Sequence, residues 1–352
     1  MEARLRDALL VALRNDVEKH RRLRQQCPAT PGIVLKVNGT RLRSTVAAPV
    51  ADRKRSRDAV EATASSTVDD WPSLVLVALA SALGQLESDP CDNVEVSTSA
   101  APVMSTASVL GEVSGVEVRH CQLRAAHVCS GGEADAHPVS LEDVLFAEQR
   151  PWRSAAAAAL PATSSVGLTT LDLECNELGD AGVRVLCNGL LPRLRSLRRL
   201  LLASNGITAA GFLYLVNCAA TPNTCAAHLP PQLETLGLTN NPLGTGDEEP
   251  GDDTPTAEVW CAAFRALVRS LAPTLRRLHL NHAGLNAQVV LHVVQTLFEC
   301  VGHQRAPCTF DMVYLRANAV ADTEAALRLL LSGVSREDAA TLTHFCRTHV
   351  SL

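Results

Sequence analysis

Hydrophobic positions along this chain recur in one fixed frame. Leu168, Leu171, Leu173, Asn176 and Leu178 set it, and it returns as Leu197, Leu200, Leu202, Asn205, Ile207 and as Leu233, Leu236, Leu238, Asn241, Leu243. Leu275, Leu278, Leu280, Ala283, Leu285 and Phe310, Val313, Leu315, Asn318, Val320 continue it. The apolar–polar–apolar core of the frame has the period of a strand, with its apolar side chains on one face and the intervening ones on the other. Upstream, Val113, Val116, Val118, Cys121, Leu123 follow the same frame, and Leu35, Val37, Thr40, Leu42 follow it weakly, with Thr40 in the asparagine place. Successive turn positions from Asn176 to Asn318 lie 29, 36, 42 and 35 residues apart, the longer gaps holding insertions at Pro222–Pro230 and Gly244–Thr256. Each gap leaves room for a helix, predicted near 181–191, 209–219, 257–271, 286–301 and 322–332. Leu5, Leu9, Leu13 and Val17 predict an amphipathic helix over 2–25. Trp71-Pro72 opens another to about Leu86, and Ser140-Leu-Glu-Asp143 starts a third running to about Gln149 with a capping-box-like pattern. Ser335-Arg-Glu-Asp338 opens a last one ending near His349.

The frame resembles that of leucine-rich repeat proteins, and the strand–asparagine turn–helix period is similar to that of the ribonuclease-inhibitor-like subfamily. The resemblance covers Val113–Leu331 well and Gly32–Leu86 loosely. It implies an α/β fold: a right-handed leucine-rich repeat solenoid of about seven repeats, a horseshoe with parallel strands on the concave face and helices on the convex one. Four stretches are expected: residues 1–31 as an N-terminal capping helix, 32–112 as a degenerate first repeat with long disordered insertions, 113–332 as the repeats, and 333–352 as a C-terminal capping helix. The turn asparagine satisfies backbone groups, so the turn at Ala283 needs another group: Asn281, His282 or a water.

Composition narrows the function. A hydrophobic content of 47% supplies a long continuous core, and a net charge of −5 spread along the chain favours neither nucleic acid nor an anionic membrane as partner. The first residues carry too much charge for a secretory signal, and Leu74–Leu83 is too short to span a bilayer. Twelve cysteines without a signal read as reduced thiols in a cytoplasmic setting, several of them, such as Cys121, Cys187 and Cys261, at core positions.

The alternation also names the side chains that face a partner. In order they are Lys36 and Asn38, Glu117 and Arg119, Asp172 and Glu174, then Arg199, Leu201 and Ala203. Thr235, Gly237 and Thr239 follow, then Arg277, His279 and Asn281, then Met312, Tyr314 and Arg316. The row passes from acidic at Asp172 and Glu174 to basic and aromatic at its end. Tyrosine and arginine are enriched at interface hot spots, which singles out Arg277, His279, Tyr314 and Arg316, with Arg199, Asp172 and Glu174 as further contact candidates.

Other motifs weigh less. Asp247-Glu-Glu-Pro-Gly-Asp-Asp253 lacks the alternating ligand spacing of a calcium loop. Cys300, His303 and Cys308, and likewise His344, Cys346 and His349, do not form a recognised zinc finger. Cys121 beside His120 sits at the turn position, where it reads as structural rather than nucleophilic. Arg53-Lys54-Arg55-Ser-Arg57 reads as a solvated basic run or a short import signal. No metal or cofactor is expected. The expectation is a non-enzymatic scaffold or adaptor that binds a protein partner through the concave face of the solenoid. Two alternatives stand beside it: a structural subunit of a ciliary or flagellar axonemal assembly, with a cytoskeletal location, and a GTPase-activating role by resemblance to the Ran GTPase activators. The latter usually carry an acidic tail, whereas the last residues here read Cys346-Arg-Thr-His-Val-Ser-Leu352.

Overall fold

The computed structural model describes residues 1–27, 32–46, 71–88, 113–129, 139–146, 167–220, 229–244, 255–302, 310–320, 328, 330–332 and 336–352. The chain forms two compact units, Met1–Thr170 and Leu171–Leu352. The basic run at 53–57, the acidic run at 247–253, His303, Cys308 and most of the predicted helix at 322–332 lie outside the described residues.

In the first unit, α1 (Glu2–Gln26) packs on β1 (Ile33–Asn38) and on α3 (Trp71–Ser88). Leu5, Leu9 and Leu13 are fully buried on its inner face, as their four-residue spacing requires. Midway along it, the Asp16 carboxylate accepts the Lys36 N–H of β1 at 3.1 Å, so the helix satisfies a backbone donor of that strand. Burial pushes the Asp16 carboxyl above its ordinary value, against the pull of the Lys36 N–H. β1 pairs in parallel with β2 (Val113–Arg119), matching Leu35 to Val116 and Val37 to Val118. The first repeat departs from expectation at its turn. Asn38 accepts the Arg41 N–H and caps a helix, α2 (Gly39–Val46), that starts at once and extends into the stretch expected to be loop. Thr40 is exposed on α2 and does not hold a turn. α4 (Leu141–Phe146) begins with the anticipated capping box: Ser140 N–H donates to Asp143 Oδ2 at 2.8 Å, and Asp143 N–H to Ser140 Oγ at 3.1 Å.

The second unit is built on the clean repeats. Strands β3 (Thr170–Asp172), β4 (Arg199–Leu201), β5 (Thr235–Gly237), β6 (Arg277–His279), β7 (Met312–Tyr314) and β8 (Val350–Ser351) neighbour one another in chain order. Helices alternate with them: α5 (Gly179–Val185), α6 (Ala209–Ala220), α7 (Ala257–Leu271), α8 (Ala287–Gly302) and α9 (Arg336–His349). This is the α/β leucine-rich repeat solenoid. From β4 to β8 the register is parallel and unbroken. Leu200, Leu236, Leu278, Val313 and Val350 form one rung, all facing the core. Frame residues Leu171, Leu173, Leu197, Leu202, Leu233, Leu238 and Leu280 are fully buried. Against them the helices stack Phe212, Trp260 and Phe264, with ring centroids 4.7 and 5.5 Å apart. α5 widens into a π turn over Leu186–Leu190 and tightens to a 3-10 turn at Leu191–Arg193. β8 was not anticipated. Its two residues follow the expected capping helix directly, too short for any period to show.

The turns explain the asparagines. Asn241 Oδ1 accepts Asn205 N–H (2.9 Å) and Ile207 N–H (3.1 Å), and its Nδ2 donates to Leu202 O (2.9 Å) and Leu238 O (3.0 Å). One side chain thus ties its own turn to the preceding one. Asn318 does the same for Ala283 N–H, Leu285 N–H, Leu280 O and Leu315 O. Ala283 has no such side chain, and neither Asn281 nor His282 replaces it. The Ala283 carbonyl itself accepts Leu243 N–H and Gly244 N–H, both at 3.0 Å, while Asn281 Oδ1 accepts Arg316 N–H. Immediately before each turn position the backbone is left-handed: φ is 55 at His120, 58 at Cys175, 55 at Ser204, 56 at Asn240, 51 at His282 and 58 at Ala317. At Gly211 a side chain would meet Asp180 Oδ1 at 2.2 Å. Its absence lets that carboxylate reach Thr208 N–H (2.8 Å) and Oγ1 (2.6 Å) at the start of α6.

Candidate interaction face on the strands

The register sets side chains from distant sequence positions in rows across the outward sheet face. Arg199, Thr235, Arg277 and Met312 align in one row, and Leu201, Gly237, His279, Tyr314 and Ser351 in the next. Arg199, Arg277 and Arg316 are exposed, and His279 and Tyr314 half-buried. The His279 and Tyr314 rings stack with centroids 4.4 Å apart and planes 14° from parallel. That stack is a consequence of parallel pairing, which puts equivalent residues of neighbouring strands side by side. Burial pushes the His279 imidazole below its ordinary pKa, helped by the charges of Arg277 and Arg199. The ring is therefore an uncharged plate at neutral pH. Arg316 Nε donates to Ser351 Oγ at 2.9 Å, which pins the guanidinium beside β8. Gly237 is buried in the middle of the row because the Leu201 side chain lies over it: a Cβ there would meet Leu201 Cδ2 at 2.8 Å.

Five of the seven contact candidates, Arg199, Arg277, His279, Tyr314 and Arg316, are thus gathered on β4–β7 and the turn after β7. The other two are not part of this group. Asp172 is 0% exposed, because all three residues of β3 are buried rather than alternating. Its carboxylate folds back to accept the Glu174 N–H at 3.1 Å, which ties it to its own chain segment. Glu174, beyond the strand, is half-buried. In the first unit, Lys36 Nζ and Glu117 Oε1 are paired with each other at 2.9 Å. Sequence reasoning missed Ser351, whose place on the face depends on β8.

Several of the thiols and imidazoles that drew attention in the sequence are engaged elsewhere. Cys121 takes the turn role: its Sγ–H donates to Arg119 O at 3.2 Å, and burial pushes the thiol up to about 12 despite the Gly39 N–H it accepts. A thiol so protonated is a poor nucleophile. Cys346 is buried in α9 with its thiol pushed up to about 11 by burial. His349 Nδ1 lies 2.8 Å from Asp311 O and its ring stacks on Phe345, while His344 is exposed. Among the described residues, no group of three or more His, Cys, Asp or Glu side chains could hold a metal ion, and no helix is long and apolar enough to cross a membrane.

The family described as Leucine Rich repeat matches residues 168–187, the segment holding β3 and α5. The NACHT, LRR and PYD domains-containing protein 3 of Mus musculus is 30% identical over 180 residues, which cover 50% of this chain. The matched stretch spans only 14% of that relative's length. The repeated frame, the parallel strands with their asparagine turns and these two likenesses together support a leucine-rich repeat protein.

Proposed function

We propose that this chain is a non-enzymatic interaction scaffold that binds a protein partner through the outward face of β4–β7. The observation that carries the reading is the convergence of Arg199, Arg277, His279, Tyr314 and Arg316, drawn from positions more than a hundred residues apart, onto one face. Leucine-rich repeats suit such a role because their strands hold many side chains rigidly, so little ordering entropy opposes binding. Tyrosine and arginine together are the side chains that most often dominate binding energy at protein interfaces. The proposal includes a cytoplasmic setting, supported by the use of Cys187 and Cys261 as small core hydrophobes.

The experiment is affinity purification of the tagged protein with mass spectrometry, wild type against a Tyr314→Ala/Arg316→Glu double variant. Loss of a coherent partner set, with the circular dichroism spectrum intact, supports the reading. Retention of the same set by a folded variant contradicts it.

A further inference from the structure

Charge on this face is one-sided. Arg199 and Arg277 occupy equivalent positions on β4 and β6 with Thr235 between them, two strand spacings or about 9–10 Å apart across the sheet. Both are exposed, and among the described residues neither guanidinium has an ion-pair or hydrogen-bond partner. The contrast with the adjacent residue is informative: Arg198 is paired with Glu234 at 2.8 Å. Arg316 extends the positive charge past β7, its Nε held by an uncharged hydroxyl rather than a carboxylate. Between the guanidiniums lies an apolar floor made by Leu201, whose side chain covers Gly237, and the stacked His279–Tyr314 pair.

We propose that the face of β4–β7 recognises an acidic protein segment, with Asp or Glu carboxylates meeting Arg199, Arg277 and Arg316 and an aromatic or large aliphatic side chain resting on the His279–Tyr314 plate. This deepens the reading of the same face as the binding surface and depends on it. Guanidinium forks match carboxylates two bonds at a time. A hydrophobic floor ringed by charges is the arrangement of an interface centre with a polar rim. A nucleic acid is the weaker match. It rewards long tracks of cations along its phosphates, whereas here three arginines surround an apolar floor on a chain of net charge −5.

The test is selection of peptides from a displayed random library by the intact protein, followed by fluorescence titration of the winners. Enriched peptides are expected to carry at least two acidic residues flanking an aromatic or large aliphatic one. Removing Arg199 or Arg277 by substitution to alanine should weaken the winners about two- to fivefold each. Arg277→Glu should abolish binding of the acidic winner and gain binding of its Lys-substituted version, a rescue that damage to the fold cannot produce. Three outcomes overturn the proposal. If enriched peptides lack acidic residues yet are lost on Tyr314→Ala, the face binds proteins but not acidic ones, so the inference fails and the broader reading stands. If winners bind every face variant as well as wild type, or none is enriched, both fail. If inorganic polyphosphate or a single-stranded oligonucleotide displaces the peptide at equal charge concentration, the attraction is for polyanions in general and the peptide assignment is wrong.

Discussion

Asn241→Ala probes the physics of the fold most sharply. The side chain is completely buried and ties two turns together. Its removal leaves the Asn205 and Ile207 N–H groups without their acceptor and takes a donor from the Leu202 and Leu238 carbonyls. A buried donor left unpaired costs about 1–3 kcal/mol, so the two N–H groups alone predict a loss of about 2–6 kcal/mol. Asn205→Ala supplies an internal control. That side chain donates to the Leu173 and Ala203 carbonyls, but its Oδ1 accepts nothing. Losing it strands no N–H group, and carbonyls tolerate under-satisfaction better than amides do, so about 1–2 kcal/mol is expected. Urea unfolding followed by circular dichroism reads both. A loss under about 1 kcal/mol for Asn241→Ala, or an equal loss for the two variants, would refute the claim that the asparagines act by holding neighbouring N–H groups.

Three further outcomes follow from particular residues. Ala317 sits at φ 58, where a side chain is strained by about 1–2 kcal/mol and glycine is not, so Ala317→Gly should raise the urea midpoint while Ala317→Val lowers it; the reverse order would contradict the assigned turn. His279 has its pKa lowered by burial and by Arg277 and Arg199. The folded chain therefore stays neutral there while the unfolded chain takes up a proton below about 6.5, so stability is present above that pH and is lost as pH falls towards the folded value. His279→Gln should make the fall in urea midpoint between about pH 7.5 and 5.5 shallower, and an unchanged slope would count against it. With its thiol pushed up to about 12 and buried, Cys121 should resist iodoacetamide at about pH 8 in the native protein while exposed Cys27 is alkylated; equal labelling by peptide mass mapping would show that the turn is open.

The frame leucines were legible because a strand with one buried face writes its period directly into the chain, and Leu200, Leu236, Leu278 and Val313 all fell on the core side. So did α7, whose span matches the one read from spacing. The left-handed residues were hidden because the six positions hold His120, Cys175, Ser204, Asn240, His282 and Ala317. No residue type marks them; the turn imposes the conformation, and tertiary contacts absorb the strain. Asp172 followed the alternation rule to the surface on paper, but alternation fails where both faces of a strand are covered. At Ala283 the answer lay in a backbone carbonyl, which every residue carries and no sequence advertises. The grouping of Arg199, Arg277, His279, Tyr314 and Arg316 was readable because in-phase repeats with parallel register bring equivalent positions together. Ser351 was not, since it depends on a strand of two residues.

Whether β4–β7 form the binding face is decided by site-specific photocrosslinking. A benzophenone amino acid is placed at Thr235, between Arg199 and Arg277 on the face, or at Gln295, exposed on α8. A covalent partner adduct is expected from position 235 and none from 295. An adduct from 295 with none from 235 would contradict it and move the binding surface to the helices.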